Sequence, residues 1–76
     1  MTLSQLLRGC TIQSNVRLAL VNGDGDEEMV FTFVGLEHSG EIIDAAKELK
    51  LMSAKVTYLF APGDGYLHIE IVRGTR

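Results

Sequence analysis

Seventy-six residues, with ten acids against seven bases and a net charge of −3, describe one small domain. They exclude general nucleic-acid binding, which needs a basic surface to displace counterions. One cysteine, Cys10, excludes an internal disulfide and points to a reducing compartment. A hydrophobic content of 46% excludes disorder, and no apolar run approaches the roughly 18 residues of a membrane span.

A domain this short buries only about 60% of its unfolded surface. With no disulfide and no evident metal set, oligomerisation is the expected way to bury more. The opening "MTLSQLLRGC" lacks a charged region followed by a long apolar one. That predicts no leader peptide and a cytoplasmic location.

Thr2-Leu3-Ser4-Gln5 has the form of a capping box, in which Thr2 accepts from the Gln5 amide and Gln5 reaches back. Leu3, Leu6 and Leu7 follow at helical spacing, and Gly9 supplies a stop. The first element is therefore a helix of roughly two turns.

Asn15 to Val21 alternates, with Val16, Leu18 and Leu20 on one side and Arg17, Ala19 and Val21 on the other. Met29 to Val34 is β-branched and aromatic, with Met29, Phe31 and Phe33 on one face. Two strands around a Gly-rich polar connection form a β-hairpin.

Ser39 can cap a second helix, with Glu41 and Asp44 early and Lys47 and Lys50 late, as the helix dipole favours. Ile42, Ala45, Ala46 and Leu49 make its apolar stripe. Lys55 to Ala61 alternates again, setting Val56, Tyr58 and Phe60 against Thr57, Leu59 and Ala61. Pro62-Gly63-Asp64-Gly65 is a turn. Tyr66 to Val72 closes the fold with Leu67, Ile69 and Ile71 inward and His68 and Glu70 outward.

The order α-β-β-α-β-β predicts an α+β, two-layer domain with a four-stranded, mainly antiparallel sheet and two helices on one face. Residues 1–36 and 41–74 overlay with a shift of 40, pairing Gly23-Asp24-Gly25 with Gly63-Asp64-Gly65. That raises an internal duplication, against the plainer reading of two hairpins using the same turn residues. The face expected to be wet carries Ala19, Val21, Val30, Val34, Leu59 and Ala61. An antiparallel sheet with one solvated face alternates more cleanly than this, so the face or an edge strand is expected to contact a second copy.

"VNGDGDEE" gathers Asp24, Asp26, Glu27 and Glu28 beside two glycines. An EF-hand register from Asn22 puts Glu27 where glycine is needed and Phe33 where glutamate is needed. A register from Asp24 puts Met29 and Gly35 there. A phosphate cradle would lead into a helix and would not carry four acids. Weak adsorption of Ca²⁺ stays open, but the glycines shape a turn and the acids keep it soluble. Beyond turning the chain, the tip would serve to meet a basic partner.

His38 and His68 share no ligand spacing, and one cysteine completes no zinc set. No metal and no cofactor is expected. Tyr66, His68 and Glu70 share a strand face, so Glu70 could orient His68 as an acid/base pair; a solvated polar stripe explains the same residues. Strand parity places most of Phe31, Phe33, Tyr58, Phe60 and Tyr66 in the core rather than on a stacking platform.

The stretches "MTLSQLL", "VRLAL" and "GDGYLHIEIV", with the Asp/Gly hairpin and the central helix, resemble a loose group of small proteins encoded in phages and mobile elements of gut Firmicutes. These open with Met-Thr-hydrophobic-x-x-Leu-Leu and close with Gly-x-Leu-x-Ile-x-Val. The resemblance implies a bacterial cytoplasm and a mobile-element origin, and it carries no functional residue.

The expected function is a non-catalytic protein-interaction or accessory role as a homodimer, with contacts drawn from Val21, Val30, Val34, Leu59 and the acidic tip. One alternative is a nucleic-acid-associated accessory protein using an edge of Arg17, Arg73 and Arg76. Another is a small enzyme built on His68, Glu70 and Cys10.

Overall fold

The computed structural model describes residues 1–9, 11–35 and 39–73, with Ser39 described by its backbone alone. The expectations placed on Cys10, His38, Arg76 and the Ser39 side chain fall outside the described residues. The elements are α1 Leu3–Gly9, β1 Asn15–Val21, β2 Glu27–Phe33, α2 Ser39–Glu48, β3 Lys55–Phe60 and β4 Tyr66–Val72. The fold is α+β in the expected order. No described helix is long and apolar enough to cross a membrane.

The capping box forms reciprocally. The Thr2 N–H donates to Gln5 Oε1 at 2.8 Å, and the Gln5 N–H donates to Thr2 Oγ1 at 3.1 Å. Two further amides of the first turn, Leu3 and Ser4, donate to the carbonyls of Ala54 and Met52 at 2.8 and 2.9 Å. The orphan donors of α1 are thus satisfied by the segment before β3. Leu3, Leu6 and Leu7 are buried as the spacing requires.

α2 ends without glycine. Lys50 takes the left-handed conformation, φ 60°. The Leu51 N–H reaches the Ala46 carbonyl at 2.8 Å, and the Lys50 N–H reaches that of Lys47 at 3.2 Å. This is the Schellman pattern of hydrogen bonds, and it swings Leu51 into the core.

The sheet order is β2-β1-β4-β3. The two hairpins are antiparallel, and their inner strands, β1 and β4, pair in parallel. The sheet is therefore mixed, with the parallel seam at its centre. The inner strands carry the buried residues of the sheet, and the edge strands carry none. A duplication of residues 1–36 onto 41–74 would equate β1, an inner strand, with β3, an edge strand.

The inner face runs in cross-strand rows: Phe33–Val16–Leu67, Phe31–Leu18–Ile69 and Met29–Leu20–Ile71. Leucines of α1 together with Ile42 and Ala46 of α2 pack against these rows, so both helices lie on one face. Asn15 ties strand ends together. Its Oδ1 accepts from the Gly35 N–H at 2.8 Å and its Nδ2 donates to the Gly65 carbonyl at 3.3 Å.

Two irregularities depart from simple alternation. β2 begins at Glu27 rather than Met29, so Glu27 and Glu28 belong to the strand and not to the tip. Leu20 pairs with Met29 but Val21 with Glu27, which leaves Glu28 as the extra residue of a bulge. In β3, Val56 pairs with Ile71 but Tyr58 with Glu70. Thr57 is the extra residue there, and every later side chain changes face.

Candidate functional site

The bulge at Thr57 decides what the outer face presents. Leu59, opposite Ile69, lies on the helix side. Tyr58 and Phe60, opposite Glu70 and His68, lie on the outer side. This reverses the assignment drawn from alternation, which placed Tyr58 and Phe60 in the core and Leu59 outside. Phe31 and Phe33 do pack against the core.

The expected contact residues divide. Ala19 and Val21 lie on the outer face but are buried, whereas Val30 and Val34 are exposed. Arg17 accounts for part of the difference. Its guanidinium donates to both carboxylate oxygens of Glu27, at 3.0 and 2.9 Å. Glu27 stands opposite Val21 and Arg17 opposite Thr32, so the Arg17 stem must run past Ala19 to reach it. A long cationic side chain covers small apolar ones in this way. The pair raises the pKa of Arg17 and lowers that of Glu27, chiefly through these hydrogen bonds.

Arg17 therefore belongs to a central strand and is engaged. Arg73 follows β4, also a central strand, so the two do not line a sheet edge.

The first hairpin tip is organised by Asn22 and not by its acids. Asn22 Oδ1 accepts from the N–H groups of Asp24 and Asp26 at 2.8 and 3.0 Å, a local turn. Gly25, at φ 88°, takes the left-handed position. Asp24, Asp26 and Glu28 are exposed. Among the described residues no three His, Cys, Asp or Glu side chains converge as a metal ion would require.

The second tip is built differently. Asp64 Oδ1 accepts from the Tyr66 N–H at 3.0 Å, while its Oδ2 lies 2.8 Å from His68 Nε2. Asp64, and not Glu70, is the carboxylate that orients His68. Both contacts lower the Asp64 pKa, the His68 hydrogen bond most and the Tyr66 amide next. Because β1 and β4 are parallel, the two tips lie at opposite ends of the sheet. Their shared Gly-Asp-Gly sequence does not bring them together.

His68 stacks on Phe60 with ring centroids 4.9 Å apart and planes at 21°. Tyr66 meets it edge-on at 6.5 Å, and Tyr58 meets Phe60 edge-on at 6.2 Å. Aromatic pairs favour these offset and T-shaped arrangements. The outer side of β3 and β4 is thus a continuous aromatic surface with Asp64 and Glu70 at its margins.

β3 is itself a sheet edge. Met1 and Thr2 cover its start, through a Val56 N–H···O Met1 bond of 2.8 Å and a bridge from Thr2 to Lys55. Beyond that point Tyr58, Leu59 and Phe60 are 64%, 46% and 41% exposed.

The chain matches no protein-family model, no curated protein and no solved structure.

Proposed function

We propose that the protein is a non-catalytic interaction module that acts as a homodimer, joined by antiparallel pairing of β3 with β3 of a second copy. The observation that carries this reading is the exposed Tyr58-Leu59-Phe60 edge. A row of unpaired backbone groups flanked by large apolar side chains is a template for another strand. Charge is one device that keeps an edge single, and nothing charged stands between Lys55 and Asp64.

Charge selects the occupant and its direction. β3 starts with Lys55 and is followed by Asp64. Two antiparallel copies bring opposite charges together at both ends, whereas parallel copies would bring like charges together. A two-fold axis at Leu59 sets that residue against itself and Tyr58 against Phe60 of the second copy. Such self-complementarity is what an isologous contact requires. The acidic tip at the far end of the sheet stays outside this contact. An accessory role in a bacterial cytoplasm, on a mobile element, is supported by the sequence resemblance alone.

Sedimentation at tens of micromolar tests the reading. A species of twice 8.3 kDa is expected, and an 8.3 kDa monomer would overturn it.

A further inference from the structure

The register shift at Thr57 does more than expose two aromatic rings. It sets Tyr58 directly across from Glu70, and directly opposite residues of an antiparallel pair have Cβ atoms about 5 Å apart. Tyr58, Phe60 and Glu70 line a depression of about 270 Å³ on the outer face. The Tyr58 and Phe60 rings stand at 82° to each other, so they form two walls of a corner, with Glu70 as the third side.

The Phe60 wall is held in place. Phe60 is stacked on His68, and His68 is fixed by Asp64. Glu70 enters no ion pair among the described residues. Arg17, on the same face and close enough for Glu70 to help raise its pKa, is bound through both oxygens of Glu27. The depression is thus lined almost wholly by apolar surface, with the Glu70 carboxylate at its margin rather than on its floor.

The geometry points to a binding site for the guanidinium group of an arginine side chain. Aromatic faces attract cations through their quadrupole. A guanidinium is flat and weakly hydrated, so it can lie on the Tyr58 ring while its N–H fork bonds the neighbouring Glu70 carboxylate. An ammonium would satisfy the charge without using the flat wall. An anion is repelled by Glu70 and Asp64, and a purely apolar group would leave the marginal Glu70 carboxylate unused. The corner is complete in one copy of the chain, so the site does not depend on pairing of β3.

Titration of the full ¹⁵N-labelled chain, followed by amide NMR, tests the site. The probes are free L-arginine, the blocked peptide acetyl-Gly-Arg-Gly-amide, and the same peptide with neutral citrulline in place of arginine. Saturable shifts at Tyr58, Phe60 and Glu70 are expected with the arginine peptide and not with the citrulline peptide. Equal saturation by free arginine assigns the site to the free amino acid; a preference for the peptide assigns it to a side chain on a partner.

Glu70→Gln should weaken binding about tenfold or more, the worth of one hydrogen bond to a charged group. Equal binding of the citrulline peptide overturns the proposal, as do shifts confined to other residues. So does unchanged affinity in a folded E70Q variant. If E70Q does not fold, the citrulline comparison on the wild-type chain decides alone. Sedimentation in the same buffer separates this outcome from that of the dimer.

Discussion

Arg17 and Glu27 are joined by two hydrogen bonds across the outer face, and Ala19 lies between Arg17 and the strand position opposite Glu27. Ala19 is 1% exposed although no helix lies on that face. Exposed ion pairs contribute little by charge alone, so the stem is the part expected to matter. Arg17→Met, which keeps a long apolar stem, should leave stability near wild type. Arg17→Ala should cost on the order of 1 kcal/mol, as for re-exposing a methylene or so. Urea midpoints would show it. Equal losses in the two variants would assign the effect to charge.

The acid limb of the stability curve should carry the mark of Asp64. Its carboxyl is held below the ordinary value by His68 first and the Tyr66 amide second. A group whose folded pKa is depressed stabilises fully above its unfolded value, about 3.9 for aspartate, and loses that contribution as pH falls through the lower folded value. Asp64→Asn should be less stable than wild type at pH 7, and the gap should close as the pH falls below the ordinary aspartate range. A gap that stays constant with pH would refute the assignment. Glu27, lowered by Arg17, should act in the same direction.

Lys50 occupies a left-handed position that glycine takes without strain. The Schellman bonds it closes do not use its side chain. Lys50→Gly is therefore expected to stabilise the protein, by up to about 1 kcal/mol. For a domain of this size that is a rise in Tm of roughly 4–8 °C. A fall in Tm would show that the Lys50 side chain makes contributions beyond the cap.

Leu18 and Ile69 face each other across the parallel seam and are both fully buried. Leu18→Ala or Ile69→Ala should each cost about 2–5 kcal/mol by loss of contact and creation of a cavity. In so small a domain either loss approaches the whole stability. Because the two touch, the double variant should cost less or more than the sum, but not the sum itself. Chemical denaturation of the three variants measures this directly.

Leu59 is the residue on which dimerisation turns. Leu59→Lys places a cation on the proposed two-fold axis, where it would meet its own copy. The variant should sediment as a monomer with its fold intact by circular dichroism. Tyr58→Ala, one position away on the other face, should weaken association less. A dimer that survives L59K would exclude pairing through this edge.

Much of the architecture was legible from local patterns. The capping box at Thr2 and Gln5, the leucines of α1, the stripe of α2 and the inward rows of β1, β2 and β4 depend on spacing within one element, and they formed as the spacing dictates. The aromatic site was not legible. It rests on a bulge at Thr57 that shifts parity by one residue, and Val56–Phe60 reads as unbroken alternation with or without it. Similarly, the match between "GDG" at residues 23–25 and 63–65 carries no information about which ends of the sheet those turns occupy.

The chain by itself determined the class of fold, the order of its elements and the absence of an internal disulfide, because these follow from periodicity, turn residues and a count of cysteines. Tertiary structure decided that β1 and β4 pair in parallel, that Asp64 rather than Glu70 holds His68, and that Tyr58 and Phe60 face outward beside Glu70. Each of these depends on register between segments distant in sequence. Register is set by the summed packing of two faces, and no single stretch of residues encodes that sum.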